Sequence, residues 1–309
     1  MVRRAFPQAR ILGAEALSDG FRNANFKLQV DSPRRVMVLR VYEHDPSLCQ
    51  KEVDLLRLVR PVIPVPEVLY AELQAFEDFG PFALLEYVEG ISLRELKRSG
   101  TSRQIADAAQ AAGKTLAAIG QITFPKSGWL APGLTVTAPL LEGTNPMPRF
   151  VDLCLASPDL KRRLGPELCE SIHRLLWDWA PELASLDSQA SLVHCDYGQR
   201  NLLFRSVSGQ WSVAAVLDWE FAVSGSPLID IGHFLRYERA ARPVLEPHFS
   251  NGYREAGGVL TKDWRRLSRL IDLSALCEML THEQLPAMIE AELVELARAT
   301  AEDRDPQLG

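Results

Sequence analysis

The chain has 309 residues, enough for two lobes or for one large domain with a substantial core. Its hydrophobic content of 47% and charged content of 24% are ordinary for a globular protein. The formal net charge is −6, so no broad basic surface for nucleic acid is expected. No stretch approaches the roughly 20 consecutive apolar residues that a membrane-spanning helix requires, and a membrane protein is not predicted.

The cysteines and the first residues bear on the cellular compartment. Five cysteines are scattered along the chain without a C-x-x-C pair, which predicts reduced thiols rather than a disulfide framework or a zinc site. Arg3 and Arg4 precede Phe6 in the manner of a twin-arginine export signal, but polar residues interrupt the apolar run that such a signal needs. We therefore expect a cytoplasmic protein.

The first 90 residues are predicted to be mostly strand. Residues 25–30 alternate apolar and polar side chains, and residues 36–42 return as a second strand after a turn. A helix is predicted over residues 47–60. The proline-rich stretch that follows is predicted to be extended, because each Pro disfavours helical geometry in its predecessor. A short apolar strand is predicted over residues 82–88.

From residue 91 onward the sequence is predicted to be mainly helical. Residues 103–122 are rich in alanine, and residues 166–186 carry apolar side chains at helical spacing until Pro181 kinks or ends the helix. The Gly and Pro residues around 125–148 indicate a loop. The pattern predicts an α+β protein with a small antiparallel-sheet lobe, a hinge at about residues 85–90 and a larger helical lobe. The predicted boundaries are 1–88 for the first lobe and 89–309 for the second.

The glycine spacing excludes two common sites. No two glycines lie two residues apart, so the G-x-G fingerprint of dinucleotide-binding domains is absent. No two lie four apart, so there is no G-x-S-x-G nucleophile elbow.

A polar segment, "HCDYGQRN", interrupts two short apolar runs and is predicted to lie on a hairpin. Asp196 and Asn201 lie in it, and Asp218 is predicted to end the apolar strand that follows. Each residue alone is typical of a polar turn. The three together suit phosphoryl transfer, in which one carboxylate orients the attacking hydroxyl while an amide and a second carboxylate hold Mg²⁺.

The motifs "HCDYGQRN" and "VLDWE" are similar to those of the aminoglycoside phosphotransferase and choline kinase family, which has a protein-kinase-like two-lobe fold. The resemblance implies that Asp196 is the catalytic base, that Asn201 and Asp218 bind magnesium, and that His194 braces the loop. Cys195 stands where the family usually has a small residue, often Gly, and we expect it to serve compactness. A reactive thiol is disfavoured, because the neighbouring Asp196 raises the thiol pKa.

The first lobe supports the resemblance with residues that those motifs do not use. Ser18, Gly20 and Asn23 lie in a loop between two strands that suits a cover over phosphates, with a simple hairpin as an equal alternative. Arg40 stands at the position of the phosphate-binding lysine and retains a charge that binds phosphate oxygens. Glu52 is the only charge in the apolar stripe of its predicted helix. We expect it to pair with Arg40, the alternative being that it reaches solvent at the edge of the stripe.

Two further segments fit the same family. "LLEYVEG" resembles the kinase hinge, which implies adenine binding to the main chain near Glu86 and Val88, with Leu85 beside the pocket; an ordinary edge strand is the alternative. "GSPLIDIGHFLR" resembles the segment after the metal-binding Asp, which implies that Asp230 braces the catalytic loop. An Asp near a helix N-terminus is also favoured by the helix dipole. The resemblance covers about residues 15–240, with its motifs in the family order.

The resemblance implies an ATP-dependent, magnesium-dependent kinase that phosphorylates a hydroxyl on a small molecule, with neither nucleic acid nor membrane as a partner. A protein kinase is disfavoured, because only eleven residues separate Asp218 from Asp230. A non-catalytic nucleotide-binding protein is an alternative of another class. Zinc-dependent hydrolysis is a third, although the spacing of its candidate ligands matches no zinc pattern. Those candidates are His194, Asp196, Asp218, Glu220 and His233, and a lone histidine such as His233 is more often packed in a core.

The acceptor substrate is the part of the function that the sequence determines least. Glu220, Glu238 and Asp187 are candidates for facing an amine-bearing alcohol such as an aminoglycoside, and solvation at the surface explains each of them equally well. The sequence leaves open the choice between ATP and GTP, the oligomeric state and the role of residues 240–309.

Overall fold

A computed structural model of the chain describes residues 1–17, 23–75, 79–238 and 242–302. The predicted phosphate-loop residues Ser18 and Gly20 lie outside these described residues. Within the described ranges, no helix combines the length and the apolar character needed to cross a membrane.

A five-stranded antiparallel sheet forms the first part of the chain. Its strands follow the order β1-β2-β3-β5-β4, and its two helices are α1 and α2. The bounds of these elements are α1 Val2–Ala5, β1 Arg10–Ala16, β2 Ala24–Asp31, β3 Arg35–Val41, α2 Ser47–Val59, β4 Val68–Glu72 and β5 Phe82–Glu86. The predicted strands and helix are confirmed within one or two residues at each end, as expected for boundaries read from patterns.

Strand β5 shows how the pleat of the sheet places side chains in two separate cores. Phe82 and Leu84 pack into a cluster on the outer face, against α1, whereas Ala83 and Leu85 join the main core on the other face. Successive side chains of a strand point to opposite faces, so a fully apolar strand has both faces covered. Burial of each large side chain contributes about 1.5–3 kcal/mol.

The remaining elements are mainly helical. They are β6 Ile91–Ser92, α3 Leu93–Ser99, α4 Ser102–Gly120, β7 Gly128–Leu130, β8 Val136–Ala138, α5 Pro146–Ala156, α6 Pro158–Leu164, α7 Pro166–Asp178, α8 Ala180–Ala184, β9 Ser191–Val193, β10 Leu202–Val207, β11 Gln210–Val216, β12 Val223–Gly225, α9 Leu228–Leu235, α10 His248–Glu255, α11 Trp264–Met279 and α12 Ala287–Ala301. A 3₁₀ turn covers Pro132–Leu134. The helix predicted around Pro181 is divided there into α7 and α8, as its proline requires.

Two sequence predictions in this half were wrong. Residues 125–148 contain β7, β8 and the 3₁₀ turn rather than only a loop, because these short strands pair with β12 and with each other. The polar segment is not on a hairpin. Strand β9 pairs with β12, whereas β10 pairs with β11 and β6, so the segment passes from one small sheet to another.

Strand β11 also ends earlier than predicted, at Val216, two residues before Asp218. Leu202 and Val216 are paired, and the N–H of Leu217 donates to the carbonyl of Asn201 at 2.8 Å. The ends of β10 and β11 therefore bring the segments that carry Asn201 and Asp218 side by side.

The main core continues across the predicted lobe boundary. Leu55 and Val59 of α2 belong to the same buried cluster as Leu202 and Val216. The N–H of Val216 also donates to the carbonyl of Pro64 at 3.0 Å. The division at residue 88 stays a prediction, and the two halves share a core at this point.

Candidate active site

His194 joins the two loops that carry the predicted site. Its Nε2 lies 2.9 Å from the carbonyl oxygen of Leu217, and its Nδ1 lies 3.2 Å from the N–H of Asp196. The ring is fully buried against Trp219, with centroids 4.6 Å apart. These contacts define a neutral imidazole that donates from Nε2 and accepts at Nδ1. Burial lowers the pKa of His194, in agreement with the neutral form.

Asp230, in the first turn of α9, holds the main chain just before Asp196. Its two carboxylate oxygens accept the N–H groups of His194 at 2.7 Å and Cys195 at 2.8 Å. The side chain is fully buried, and burial raises its pKa to about 7 while the two N–H donors oppose that rise. The contacts suit the bracing role that the resemblance implies for Asp230.

Cys195 has a backbone role that compactness alone does not describe. Its φ is 65°, in the left-handed region that residues other than glycine adopt at a cost. This explains why a glycine suits the position and corrects the expectation of a merely small residue. Burial, followed by the charge of Asp230, raises the pKa of the Cys195 thiol well above its ordinary value. The thiolate is therefore disfavoured, as expected.

Asp196 and Asn201 are in direct contact. The Nδ2 group of Asn201 donates to Oδ2 of Asp196 at 2.7 Å and to the main-chain oxygen of Asp196 at 3.0 Å. The other carboxylate oxygen of Asp196, Oδ1, lies 3.2 Å from Nε2 of His233. Burial acts to raise the pKa of Asp196, but His233, His194 and Asn201 together lower it below its usual range. The carboxylate is thus held as an anion and remains about one-third exposed.

His233 is the residue near the site that sequence reasoning missed. It was expected to pack in the core or, in the zinc hypothesis, to bind a metal. Its side chain is only partly buried and contacts Asp196. The available signal was its spacing of three residues from Asp230 on a predicted helix, which places both side chains on one face.

Arg40 lies between the sheet and the second loop. Its Nε is 2.9 Å from Oε2 of Glu52, and its Nη2 is 2.6 Å from Oδ1 of Asp218. The predicted ion pair of Arg40 and Glu52 is confirmed, and it is a charge contact because the Nε–H is not aligned for a hydrogen bond. Glu52 also accepts the N–H of Trp219 at 3.1 Å and the hydroxyl of Tyr42. Burial opposes the charge of Arg40, but Glu52 and Asp218 raise its pKa, so it stays cationic.

Glu220 is engaged within the protein rather than available to a substrate amine. Its Oε2 accepts Nδ2 of Asn23 at 2.6 Å and lies 3.5 Å from Nη2 of Arg40. Its main-chain oxygen accepts Nζ of Lys51 at 2.9 Å. Asn23, predicted to face phosphates, is therefore bound to a carboxylate, and it borders a cavity of about 770 Å³ whose wall also includes Lys51 and Glu220.

In the described part of the chain, neither of the other acidic candidates forms a hydrogen bond or an ion pair with Asp196. Glu238 accepts the N–H groups of Leu245 and Glu246 at 2.8 Å each. Asp187 is exposed in the turn between α8 and β9. Of the three acidic residues considered for an amine-bearing acceptor, only Glu220 lies at the site, and its carboxylate already has partners.

The predicted hinge follows β5. The N–H of Glu86 donates to the carbonyl of Glu67 at 2.8 Å, and the Glu86 carboxylate accepts the N–H of Glu67 at 3.2 Å. The N–H of Glu86 is therefore not free to bind adenine. The N–H of Val88 donates to no other residue in the described part of the chain.

The oxygens at the site fit a hard cation that brings other ligands with it. Nδ2 of Asn201 is used by Asp196 and Oδ1 of Asp218 by Arg40, so Oδ1 of Asn201 and Oδ2 of Asp218 remain. Among the described residues, no three His, Cys, Asp or Glu side chains cluster as a ready metal site. Magnesium suits this set, because it binds one or two protein oxygens together with phosphates and water. Zinc does not, since both nitrogens of His194 are already bonded.

Several solved structures share the fold over nearly the whole chain. A GDP complex of a mutant aminoglycoside 2'-phosphotransferase-IIIa is 18% identical, with a TM-score of 0.71, covering 100% of this chain and 97% of that one. A streptomycin–ATP complex of APH(2")-IIa is 16% identical, with a TM-score of 0.63 and coverage of 97% and 95%. A protein assigned as a fructosamine-3-kinase, from Haemophilus somnus 129PT, is 16% identical, with a TM-score of 0.60 and coverage of 98% and 96%.

The fold is the protein-kinase-like fold of two lobes, as predicted, and the molecule is an α+β protein of that class. Residues 13–270 match the model of the phosphotransferase enzyme family. The chain belongs to this family, and the suspected relationship is confirmed. No curated protein matches the sequence.

Proposed function

We propose that this protein is an ATP-dependent kinase that transfers the γ-phosphoryl group to a hydroxyl of a small molecule, with Mg²⁺ as its metal ion. The observation that carries the proposal is the contact of Asn201 with Asp196, 2.7 Å apart, beside the loop of Asp218. This contact joins the carboxylate of Asp196, which would receive the proton of the acceptor hydroxyl, to the side chain of Asn201, which would hold the metal. Family membership supports the phosphotransferase class.

Nucleotide binding is assigned to the cleft between β3, the hinge and the two loops. The main chain of Val88 would bind adenine, with the carbonyl of Glu86 nearby. Arg40 is fixed by Glu52 on one side and by Asp218 on the other, and its Nη1 donates no hydrogen bond to any residue that the structure describes. A preorganised guanidinium in this position would bind phosphate oxygens without first ordering a flexible side chain.

Asn201 and Asp218 would hold magnesium through Oδ1 and Oδ2 respectively. When bound, the ion neutralises negative charge on the phosphates. Asp196 is held as an anion by its hydrogen-bond donors, and it would orient the acceptor hydroxyl and receive its proton. His194 and Asp230 would keep the carboxylate in place by fixing the main chain on which it stands.

The acceptor is assigned to the class of small hydroxyl compounds. The cavity of about 770 Å³ beside Asn23 and Glu220 has the volume of a small-molecule site, about 300–1,000 Å³, but its lining does not include Asp196, so it does not by itself define where the acceptor binds. Similar structures hold streptomycin or kanamycin, which makes aminoglycosides reasonable first compounds to test. The carboxylates of Glu220 and Glu238 are already bound to other groups of the chain, so they give no reason to favour one amine-bearing acceptor over another.

A nucleotide-consumption screen tests the proposal. ATP and GTP would be offered separately with magnesium or with EDTA, against a panel of aminoglycosides, amino alcohols and sugars. The Asp196→Asn variant measures the background. We expect at least one acceptor to raise ATP consumption only with magnesium and only in the unmodified protein, with a phosphorylated product visible by mass spectrometry. Tight nucleotide binding without turnover on any compound would instead favour the non-catalytic alternative.

A further inference from the structure

His233 contacts Asp196 in an arrangement that the mechanism above does not use. Nε2 of His233 lies 3.2 Å from Oδ1 of Asp196, while Nδ2 of Asn201 lies 2.7 Å from Oδ2. Both oxygens of the carboxylate therefore have a nitrogen neighbour, one from its own loop and one from helix α9. A carboxylate held at both oxygens cannot rotate freely about its last side-chain bond.

The loop is shaped to admit this imidazole. A Cβ atom on Gly198 would lie 2.8 Å from Nε2 of His233, closer than real Cβ atoms approach, and a tight 3.2 Å from Cδ2 of the same ring. Glycine thus lets the main chain two residues after Asp196 pass directly over the ring. The contact is a packed fit between α9 and the loop rather than a chance approach of two surface groups.

Helix α9 is itself fixed on both sides of His233. Three residues earlier, Asp230 binds the N–H groups of His194 and Cys195. Three residues later, Arg236 forms a paired contact with Asp272 of α11, with nitrogen–oxygen distances of 2.6 to 3.1 Å. The imidazole therefore has little freedom to leave Asp196.

We propose that His233 is a positioning residue whose Nε2 contacts Oδ1 of Asp196 and, together with Asn201, sets the orientation of the carboxylate toward the acceptor hydroxyl. This inference rests on the proposed function, in which Asp196 orients that hydroxyl. Each oxygen of a carboxylate accepts more than one hydrogen bond, so the two nitrogen contacts leave lone pairs free for the acceptor. Small errors in the placement of a reacting group are costly, up to about 100-fold in rate for a displacement of about 1 Å.

The test compares His233→Ala with His233→Gln, whose amide retains an N–H donor. Turnover is followed as phosphate released from MgATP with water as the acceptor, and again with any acceptor from the screen. We expect kcat to fall roughly 10- to 100-fold in His233→Ala, with KM for MgATP within about twofold of the original value, and to recover partly in His233→Gln. His173→Ala is the control, because His173 also contacts a carboxylate, Asp152, but on the outer surface of α7.

A double variant separates positioning from general loss of structure. If His233 acts through Asp196, adding His233→Ala to Asp196→Asn lowers the residual rate no further. Unchanged kcat in His233→Ala, equal rates in the Ala and Gln variants, or a further drop in the double variant would each overturn the inference. Normal turnover in Asp196→Asn alone would instead contradict the proposed function.

Discussion

Arg40 and Asp218 are joined by a contact of 2.6 Å between Nη2 and Oδ1, although they are 178 positions apart in the chain. The contact ties the central strand of the sheet to the loop that follows β11. Arg40 is buried and Asp218 is about one-third exposed, so the pair stands at the inner edge of the cleft. The proposed phosphate-binding group and a proposed metal ligand are therefore in direct contact.

The proposed base predicts the largest loss of activity. Asp196→Asn should lower kcat by several orders of magnitude, because a neutral amide cannot receive the proton of the acceptor. The dissociation constant for MgATP should change little, since Asp196 is not assigned to nucleotide binding. Calorimetric titration with MgATP and the phosphate-release assay check the two parts. Comparable losses of nucleotide binding and turnover would contradict this assignment.

The assignment of Asp218 as a magnesium ligand predicts a loss of nucleotide affinity that is seen only when magnesium is present. Asp218→Ala should weaken nucleotide binding in the presence of magnesium and leave the weaker binding in EDTA nearly unchanged, because one protein ligand to the ion is gone. Asp187→Ala, at an exposed position between α8 and β9, is the control. The difference between the dissociation constants with magnesium and with EDTA is the measured quantity. An undiminished difference in Asp218→Ala would rule out its role as a ligand.

The buried ion pair predicts a loss of stability. Glu52→Gln leaves the buried guanidinium of Arg40 with Asp218 as its close charged partner, so the free energy of unfolding should fall measurably, but by less than the cost of about 3–5 kcal/mol expected when a buried charge loses its only partner. Glu67→Gln is the control, since Glu67 pairs with Arg60 at the surface, and it should have no measurable effect. Urea unfolding compares the variants. Equal stabilities would show that the pair is not needed for folding.

The left-handed backbone at Cys195 predicts that two substitutions there differ in their effect on stability. Cys195→Gly should change the free energy of unfolding by no more than about 1 kcal/mol, since relief of the strained φ offsets the added freedom of the unfolded chain. Cys195→Val should lower it by about 2 kcal/mol or more, because a β-branched residue tolerates this φ poorly. Thermal unfolding checks the order. A valine variant as stable as the glycine variant would contradict the backbone explanation.

Buried His194 predicts a pH dependence of stability. In the unfolded chain its imidazole binds a proton below about pH 6.5, whereas the folded protein keeps it neutral to a lower pH. At this group the unfolded state then holds more protons, so the contribution of His194 to the free energy of unfolding falls as pH decreases below this value, by up to about 1.4 kcal/mol per pH unit. Asp230, whose pKa burial raises to about 7, contributes in the opposite direction, so the comparison with a His194 variant isolates the imidazole.

Urea unfolding between about pH 7.5 and about pH 5.5 measures this slope. His194→Gln should be less stable than the original protein at neutral pH and should lose less stability on acidification, because it has no imidazole to protonate. A slope in the variant as steep as in the original protein would assign the pH dependence to other groups.

The local elements were largely predictable from the sequence. The strands around Phe26 and Val38 and the helix around Glu52 follow from side-chain periodicity, which depends only on neighbours in the chain. The pairing of Arg40 with Glu52 was also predictable, because an isolated charge in an apolar stripe needs a partner and the family resemblance indicated Arg40 as that partner. The order of the motifs indicated the family.

The sequence by itself determined the residue types available for phosphoryl transfer, their order, and the helices and strands that carry them. Only the tertiary structure decided which of them meet. It brought His233 to Asp196 and joined Arg40 to Asp218. It also engaged Asn23 with Glu220 and carried the polar segment from one sheet to another. The physical reason is that these contacts join residues distant in the chain, so they depend on how packed elements are oriented in three dimensions, which no local pattern encodes.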